Sequence, residues 1–381
     1  MPLWLYKQLS AGGRTGTTNK IGADGRLYRE VSVENEACGL VPLLSTLLEA
    51  DPSVKSVHVC HPAVRHVFRT AREGGFCGYR NIQMIISFIL ATRPRGHEAF
   101  AERGRIPSVI RLQEMIETAW DRGFNAHARI ETGGIKGTRK YIGTTEVLRL
   151  MTPMRRLRLT SKLQVEALFN SLSIPTTSTA FHHIFDDSHT PRIMSQAYEL
   201  LLQHVQDYFT RDTIYSSSLT ASASTHRLAN SDSKIHRTSL PPIFLQHPGH
   251  SLTIIGIETH HDGSRNLLVL DPGFKPSAAI YKLLASTSPR TSIPLGSPSG
   301  AGTPSGFSRR ANSSSRSSGS GSMRSAGRRA PGRGLVDVNG AQATRLLDAY
   351  RRGRSRLARY GEFEVLSLSL SGMMVERVGE W

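Results

Sequence analysis

The stretch Gly74-Gly75-Phe76-Cys77-Gly78-Tyr79-Arg80-Asn81-Ile82-Gln83-Met84-Ile85-Ile86-Ser87-Phe88-Ile89 runs from a glycine-rich turn directly into an apolar helix, with one cysteine at the junction. Ile82, Ile85, Ile86 and Ile89 recur at i, i+3, i+4 and i+7, the stripe of a helix laid on a core. That period puts Cys77 at or just before the first turn. Unpaired N–H groups and the helix dipole at such a position favour a thiolate, lower the thiol pKa and offer donors to an oxyanion. Gly75 and Gly78 let another backbone approach closely. A buried cysteine that only fills space is the plain alternative for any isolated thiol. The glycines and the helix start set Cys77 apart from that case.

At 381 residues the chain is long enough for one large domain or two ordinary ones. Its three cysteines, Cys38, Cys60 and Cys77, cannot make a disulfide framework, and no pair has the spacing of a zinc knuckle. That points to a reducing compartment, the cytoplasm or the nucleus. Met1-Pro2-Leu3-Trp4-Leu5 lacks the basic start and long apolar core of a signal peptide, and no run of about 18 apolar residues occurs, so a soluble protein without membrane contact is expected. Of the net charge of +18, residues 286–334 supply +8 through eight Arg, with no Lys and no acid. Such an arginine-spotted Ser/Gly tract reads as a disordered loop that touches polyanions weakly and without specificity. No nucleic-acid-binding motif accompanies it, which sets specific recognition aside.

In chain order, residues 1–37 read as a flexible lead-in and 38–381 as a single domain with disordered insertions at about 215–239 and 286–334. Leu40, Leu43, Leu44, Leu47 and Leu48 mark a helix that stops near Asp51-Pro52. Further helices are expected at 108–120, 162–172, 191–209 and 340–352, and strands at 54–60, 243–245, 253–257, 267–270 and 363–370. Residues 131–146, with four glycines, read either as a loop that meets a peptide or as a plain surface connection. No internal repeat is found.

A thiolate needs a base, and the base needs an orienting group. His250 lies in Leu245-Gln246-His247-Pro248-Gly249-His250-Ser251, a tight turn between two strands, and Asp271 ends the strand Leu267-Leu268-Val269-Leu270. If the strands are hairpin neighbours, the start of one lies opposite the end of the other and His250 stands beside Asp271. Cys, then His, then carboxylate is the chain order of papain-like peptidases. His247 competes for the role of base, but Pro248 separates it from the following strand, whereas His250 adjoins that strand directly. Gln246 reads either as an amide donor to an oxyanion or as a strand-edge glutamine facing water.

Phe76-Cys77-Gly78-Tyr79-Arg80-Asn81-Ile82-Gln83-Met84, Lys136-Gly137-Thr138 through Ile142-Gly143, Leu245 to Ser251 running on to Ile257-Glu258, and Leu268-Val269-Leu270-Asp271-Pro272-Gly273 together resemble the zinc-finger-containing ubiquitin peptidases and their fungal relatives. These belong to the wider family of proteases specific for the ubiquitin-fold modifier. The resemblance covers about 38–285 and 335–375. It implies a papain-like α/β (α+β) cysteine peptidase, with a central, mostly antiparallel sheet and the nucleophile helix packed against it. It further implies cleavage after the C-terminal glycine of ubiquitin or a ubiquitin-like protein, with Cys77 as nucleophile, His250 as base and Asp271 as orienting acid. The branch devoted to the ubiquitin-fold modifier has an Asp-Pro-His run where this chain has Asp271-Pro272-Gly273, which tilts the substrate toward ubiquitin. The zinc-finger modules of the relatives have no counterpart in this sequence. Gly75, Gly78, Tyr79 and Gly134 are expected to line a narrow cleft for the modifier's tail, and no metal or organic cofactor is expected. A weakly active module that binds ubiquitin-like proteins is the rival reading, since the auxiliary modules are missing.

Overall fold

A computed structural model describes residues 1–21, 27–93, 96–100, 105–142, 160–185, 193–220, 233–287 and 338–369. The chain opens with helix α1 (Leu3–Ala11), the hairpin of β1 (Thr15–Ile21) and β2 (Leu27–Val33), and β3 (Glu36–Ala37). Then come α2 (Leu40–Ala50), β4 (Val54–Val59), β5 (His66–Val67), α3 (Cys77–Thr92), α4 (Gly96–Phe100), α5 (Val109–Asp121), α6 (His127–Thr132) and α7 (Thr160–Ser171). The second half holds β6 (Thr176–His182), β7 (Ile184–Phe185), β8 (Ile193–Ser195), α8 (Ala197–Thr220), β9 (Ile235–Arg237), β10 (Ile243–His247), β11 (His250–His260), β12 (Arg265–Leu270) and α9 (Ala278–Thr287). It closes with α10 (Gly340–Leu347), β13 (Arg351–Arg352), α11 (Arg354–Leu357) and β14 (Glu362–Leu368).

Eight strands form one sheet in the order β13-β12-β11-β10-β14-β6, with β4 on β11 and β9 on β4. All pairings are antiparallel except β4 with β9. This is a mixed α/β architecture around a large antiparallel sheet, and β11 is its spine. One edge of β11 pairs with β12, and the other is divided between β10, along His250 to Ile254, and β4, along Gly256 to His260. Every residue from Ser251 to Glu258 is buried, as in a strand covered on both faces. Helices α3 and α8 both pack on it.

Helix α3 is buried almost all round, beyond the single stripe its isoleucines suggest. Ile82, Ile85, Ile86 and Ile89 are wholly buried, worth about 2 kcal/mol each, which helps carry polar neighbours inside with them. Those neighbours are satisfied rather than stranded. Gln83 Nε2 donates to the Pro107 carbonyl (2.6 Å), and Ser87 Oγ accepts from the amide of Arg65 (3.0 Å).

Several expectations change. Within the expected lead-in 1–37, the described helix α1 is not loose: Leu5 and Leu9, one turn apart, are each 1% exposed and the helix packs on α5. The helix expected from 191 begins at Ala197, because Ile193–Ser195 is extended and pairs with β7. The Ser/Thr-rich stretch 215–239 is not one insertion, since α8 runs to Thr220 and β9 lies parallel on the edge of β4; only 221–232 falls outside the described residues. The tract 286–334 also lies outside them, apart from the last residues of α9. The helix expected over 340–352 ends at Leu347, where a 3-10 turn leads into β13 on the edge of β12. Among the described residues no helix is long and apolar enough to cross a membrane.

Candidate active site

The turn before α3 is built on Glu73. Its buried carboxylate accepts from Thr70 N (2.7 Å) and Oγ1 (2.8 Å), and from Arg80 Nε (2.9 Å) and Nη2 (2.6 Å). Residues 70–73 are thereby tied to the first turn of α3, and the chain between them, with Gly74 at φ 88°, delivers Cys77 as the first helical residue. One turn on, Asn81 donates through Nδ2 to the Cys77 carbonyl (2.9 Å) and to Ser251 Oγ (2.9 Å), and accepts from Thr253 Oγ1 (2.7 Å). The helix carrying the thiol is thus docked on β11.

β10 and β11 are joined by Pro248-Gly249 alone, with Gly249 at φ 81°, so His250 is the first residue of β11. Asp271 follows the last residue of β12. The antiparallel register of β11 with β12 brings the two together, with His250 Nε2 2.8 Å from Asp271 Oδ1. The other ring nitrogen of His250 is left free of Asp271, and the imidazole lies close enough to Cys77 to help lower its thiol pKa. Asp271 Oδ1 also accepts from Gly273 N (2.7 Å), and Oδ2 from Arg352 Nη2 (2.9 Å). Buried His66 meets the main-chain carbonyl of Asp271 through Nε2 at 3.0 Å. Burial lowers the His66 pKa to about 4, so the ring is neutral and Nε2–H is the donor.

Burial opposes every charge at this centre, and the partners overcome it. It raises the Asp271 pKa, but the bond to His250 and its charge, the Gly273 N–H and Arg352 bring the carboxyl down to about 2. It lowers that of His250, yet Asp271 and Cys77 together hold the imidazolium up to about 9. It raises that of Cys77, and hydrogen bonds from His250 and Ser251, with the His250 charge, leave the thiol below its ordinary value. The arrangement thus favours the charged forms of His250 and Asp271 and shifts Cys77 toward its thiolate.

His247 is packed away from this exchange: it stacks on Tyr360 at 4.0 Å, and burial lowers its pKa to about 4. Gln246, opposite Ser251 across the hairpin, lines a small cleft with His182, Glu362 and Glu364. Its Nε2 donates to the His247 carbonyl (2.8 Å), while its buried Oε1 has no hydrogen-bond partner. Gly75 lies under the ring of Tyr141, and a side chain at Gly78 would meet the Ile142 carbonyl at 2.6 Å, so residues 141–142 sit directly on the thiol turn. Tyr79 does not line a cleft. It points inward from α3, wholly buried, with its hydroxyl accepting from Gln113 Nε2 (3.4 Å). Gly134, at φ 84°, belongs to a turn on α5, where Glu117 Oε1 accepts from the amides of Ile135 and Lys136 (both 2.7 Å). Its neighbours are there rather than at Cys77.

Sequence reasoning missed Asn81, Ser251, His66 and Arg352. Asn81 was discoverable, because it stands four residues after Cys77 on one helix face. Nothing local marks His66 or Arg352.

A cysteine at a helix start, with a histidine and a carboxylate on neighbouring strand ends, is a residue set that cysteine-peptidase chemistry can use. The sequence model of peptidase family C78 matches residues 53–293, and the chain belongs to that family. It is 31% identical over 217 residues to Zinc finger-containing ubiquitin peptidase 1 of Rattus norvegicus, covering 56% of this chain and 29% of that protein. The Homo sapiens protein of the same name is 31% identical over 216 residues, with the same coverage of 56% and 29%. Ubiquitin carboxyl-terminal hydrolase mug105 of Schizosaccharomyces pombe is 36% identical over 81 residues, 21% of this chain and 32% of that one. The chain therefore spans about 29% of the length of the mammalian relatives it matches. A crystal structure of UfSP from C. elegans superposes with a TM-score of 0.31 at 13% identity, over 61% of this chain and 30% of that one, a likeness too slight to bear on the reading.

Proposed function

We propose that this peptidase is a papain-like deubiquitinase, which hydrolyses the peptide or isopeptide bond after the C-terminal glycine of ubiquitin or a ubiquitin-like modifier. The observation that carries the reading is the single imidazole, His250, bonded at 2.8 Å to Asp271 and near enough to Cys77, at the start of α3, to pull its thiol pKa down. The relatives named as ubiquitin peptidases support the substrate class.

Cys77 thiolate attacks the carbonyl carbon of the modifier's terminal glycine, and the carbonyl oxygen takes up the negative charge. The Cys77 amide at the helix start is the donor offered to that oxygen, with the Gln246 side chain the second candidate. His250 passes its proton to the leaving lysine amine as the C–N bond breaks, which leaves a thioester. The neutral imidazole then takes a proton from water, whose oxygen displaces the thiolate, while Asp271 keeps the ring oriented throughout.

The test is covalent capture. The protein and its Cys77→Ala variant are incubated with ubiquitin, and separately with the ubiquitin-fold modifier, each bearing a thiol-reactive group in place of the last glycine. A mass increase with ubiquitin that disappears in the variant is the expected result. Capture by the other modifier alone would move the substrate assignment, and no adduct with either from a folded sample would sink the enzyme reading.

A further inference from the structure

We propose that Arg352 is a positioning residue of this site, holding Asp271 Oδ2 so that Oδ1 stays aimed at His250. The inference rests on the reading of Cys77, His250 and Asp271 as nucleophile, base and orienting acid. His250 and the Gly273 amide (2.7 Å) both meet Oδ1, so without a partner on Oδ2 the carboxylate, turning on its soft Cβ–Cγ torsion, can give Oδ1 up to the amide at the expense of the bond to His250. Arg352 Nη2, at 2.9 Å from Oδ2, removes that freedom. The guanidinium is itself fixed, since Nη1 donates to the carbonyls of Ala349 (2.9 Å) and Arg351 (3.0 Å). Both side chains are 15% exposed, so the pair is largely withdrawn from water and from salt.

An arginine that merely pins β13 to the sheet would be a simpler account, but that task already has an owner. The neighbouring Arg351 reaches buried Glu258 through Nε (2.8 Å) and buried Asp51 through Nη2 (2.9 Å). Its backbone pairs with Leu268, and that of Arg352 with Leu267. With β13 anchored by Arg351, the Arg352 side chain serves only Asp271 among the carboxylates it is bonded to. The other titratable groups around Asp271 are His250 on β11 and the uncharged His66 on β5 and His247 on β10. Arg356 and Asp348, the remaining charges beside Arg352, bond one another at 3.0 Å. Among the described residues, Arg352 is thus the one Lys or Arg bonded to the acid.

The test is the pH dependence of Cys77 alkylation by iodoacetamide in the full chain, read by mass mapping so that Cys38 and Cys60 do not interfere, with kcat/KM measured alongside. In Arg352→Gln the acid limb should move up by about one pH unit, the worth of one charge-assisted hydrogen bond, with kcat/KM down about tenfold. Arg352→Lys, which keeps the charge, should recover most of both. In an Asp271→Asn background the Arg352→Gln change should add nothing further. A profile for Arg352→Gln that overlays the wild type overturns the proposal, as does a loss of thermal stability in both variants with the limb unmoved. A wild-type Cys77 that alkylates with the profile of an ordinary free thiol overturns the catalytic reading itself, and the proposal with it.

Discussion

Glu73 and Arg80 form a bidentate ion pair, at 2.9 and 2.6 Å, with side-chain exposures of 0% and 3%, and the turn that presents Cys77 is strung between them. Removing one partner of such a pair leaves the other charge buried and uncompensated, which costs about 3–5 kcal/mol. Arg80→Met should therefore lower the urea midpoint sharply, whereas a Glu73→Gln, Arg80→Met double variant should recover part of the loss. Single and double variants of equal stability would show that the pair contributes little.

Asn81 links the Cys77 turn to the strand that carries His250, and all of its polar atoms are in use. Asn81→Ala strands the hydroxyls of Ser251 and Thr253 in the interior, at about 1–3 kcal/mol for each group left unsatisfied. It also lets α3 shift against β11, so the distance between Cys77 and His250 is no longer fixed. The expected outcome is a fall in kcat larger than any rise in KM, measured on a C-terminal fluorogenic modifier. Unchanged kcat in a destabilised protein would limit Asn81 to stability.

These contacts show which parts of the site can be read from sequence. Cys77 announces itself because a helical period begins at a glycine turn, and His250 and Asp271 because two adjacent strands fix which residues face each other. Local pattern suffices for both. Arg352 lies 81 positions beyond Asp271, across the Arg-rich tract, and is one of 48 basic residues, so only the closing of β13 on β12 reveals its partner. Tyr79 misleads for the opposite reason: it adjoins the thiol in sequence, yet the helix turns it about 200° from Cys77, into the core. Helix α1 was hidden because two buried leucines carry no signal beside a long polar, glycine-rich run.

Gly75 and Gly78 are both covered by residues 141–142, but by different atoms. At Gly75 an added methyl meets the tip of the Tyr141 ring, which can swing away. At Gly78 it meets the Ile142 main chain at 2.6 Å, and backbone must move. Gly75→Ala should keep stability within about 0.5 kcal/mol of the wild type. Gly78→Ala should lose about 1–3 kcal/mol and most of the activity, as the segment over the thiol is pushed off. Thermal melts and turnover of the two variants side by side decide it, and equal behaviour would contradict the contact.

The charges at the centre fix the sign of the pH response. The proposed reaction needs Cys77 without its proton and His250 with one. Because the Cys77 pKa lies below its ordinary value, the thiolate persists into more acidic solution than a free thiol would, and kcat/KM declines only as pH falls through that lowered value. Because the His250 pKa is raised to about 9, the imidazolium survives through neutrality, and the basic limb should fall near pH 9 rather than near the 6.5 of free histidine. Asp271, at about 2, stays charged across the whole range and adds no limb of its own. Cys77 is among the groups that hold the His250 pKa up, so Cys77→Ala should let the ring titrate at a lower pH, readable from its NMR shifts, while Asp271 still keeps it above a free imidazole. A His250 titration unmoved by that change would mean that thiol and imidazole do not share a proton.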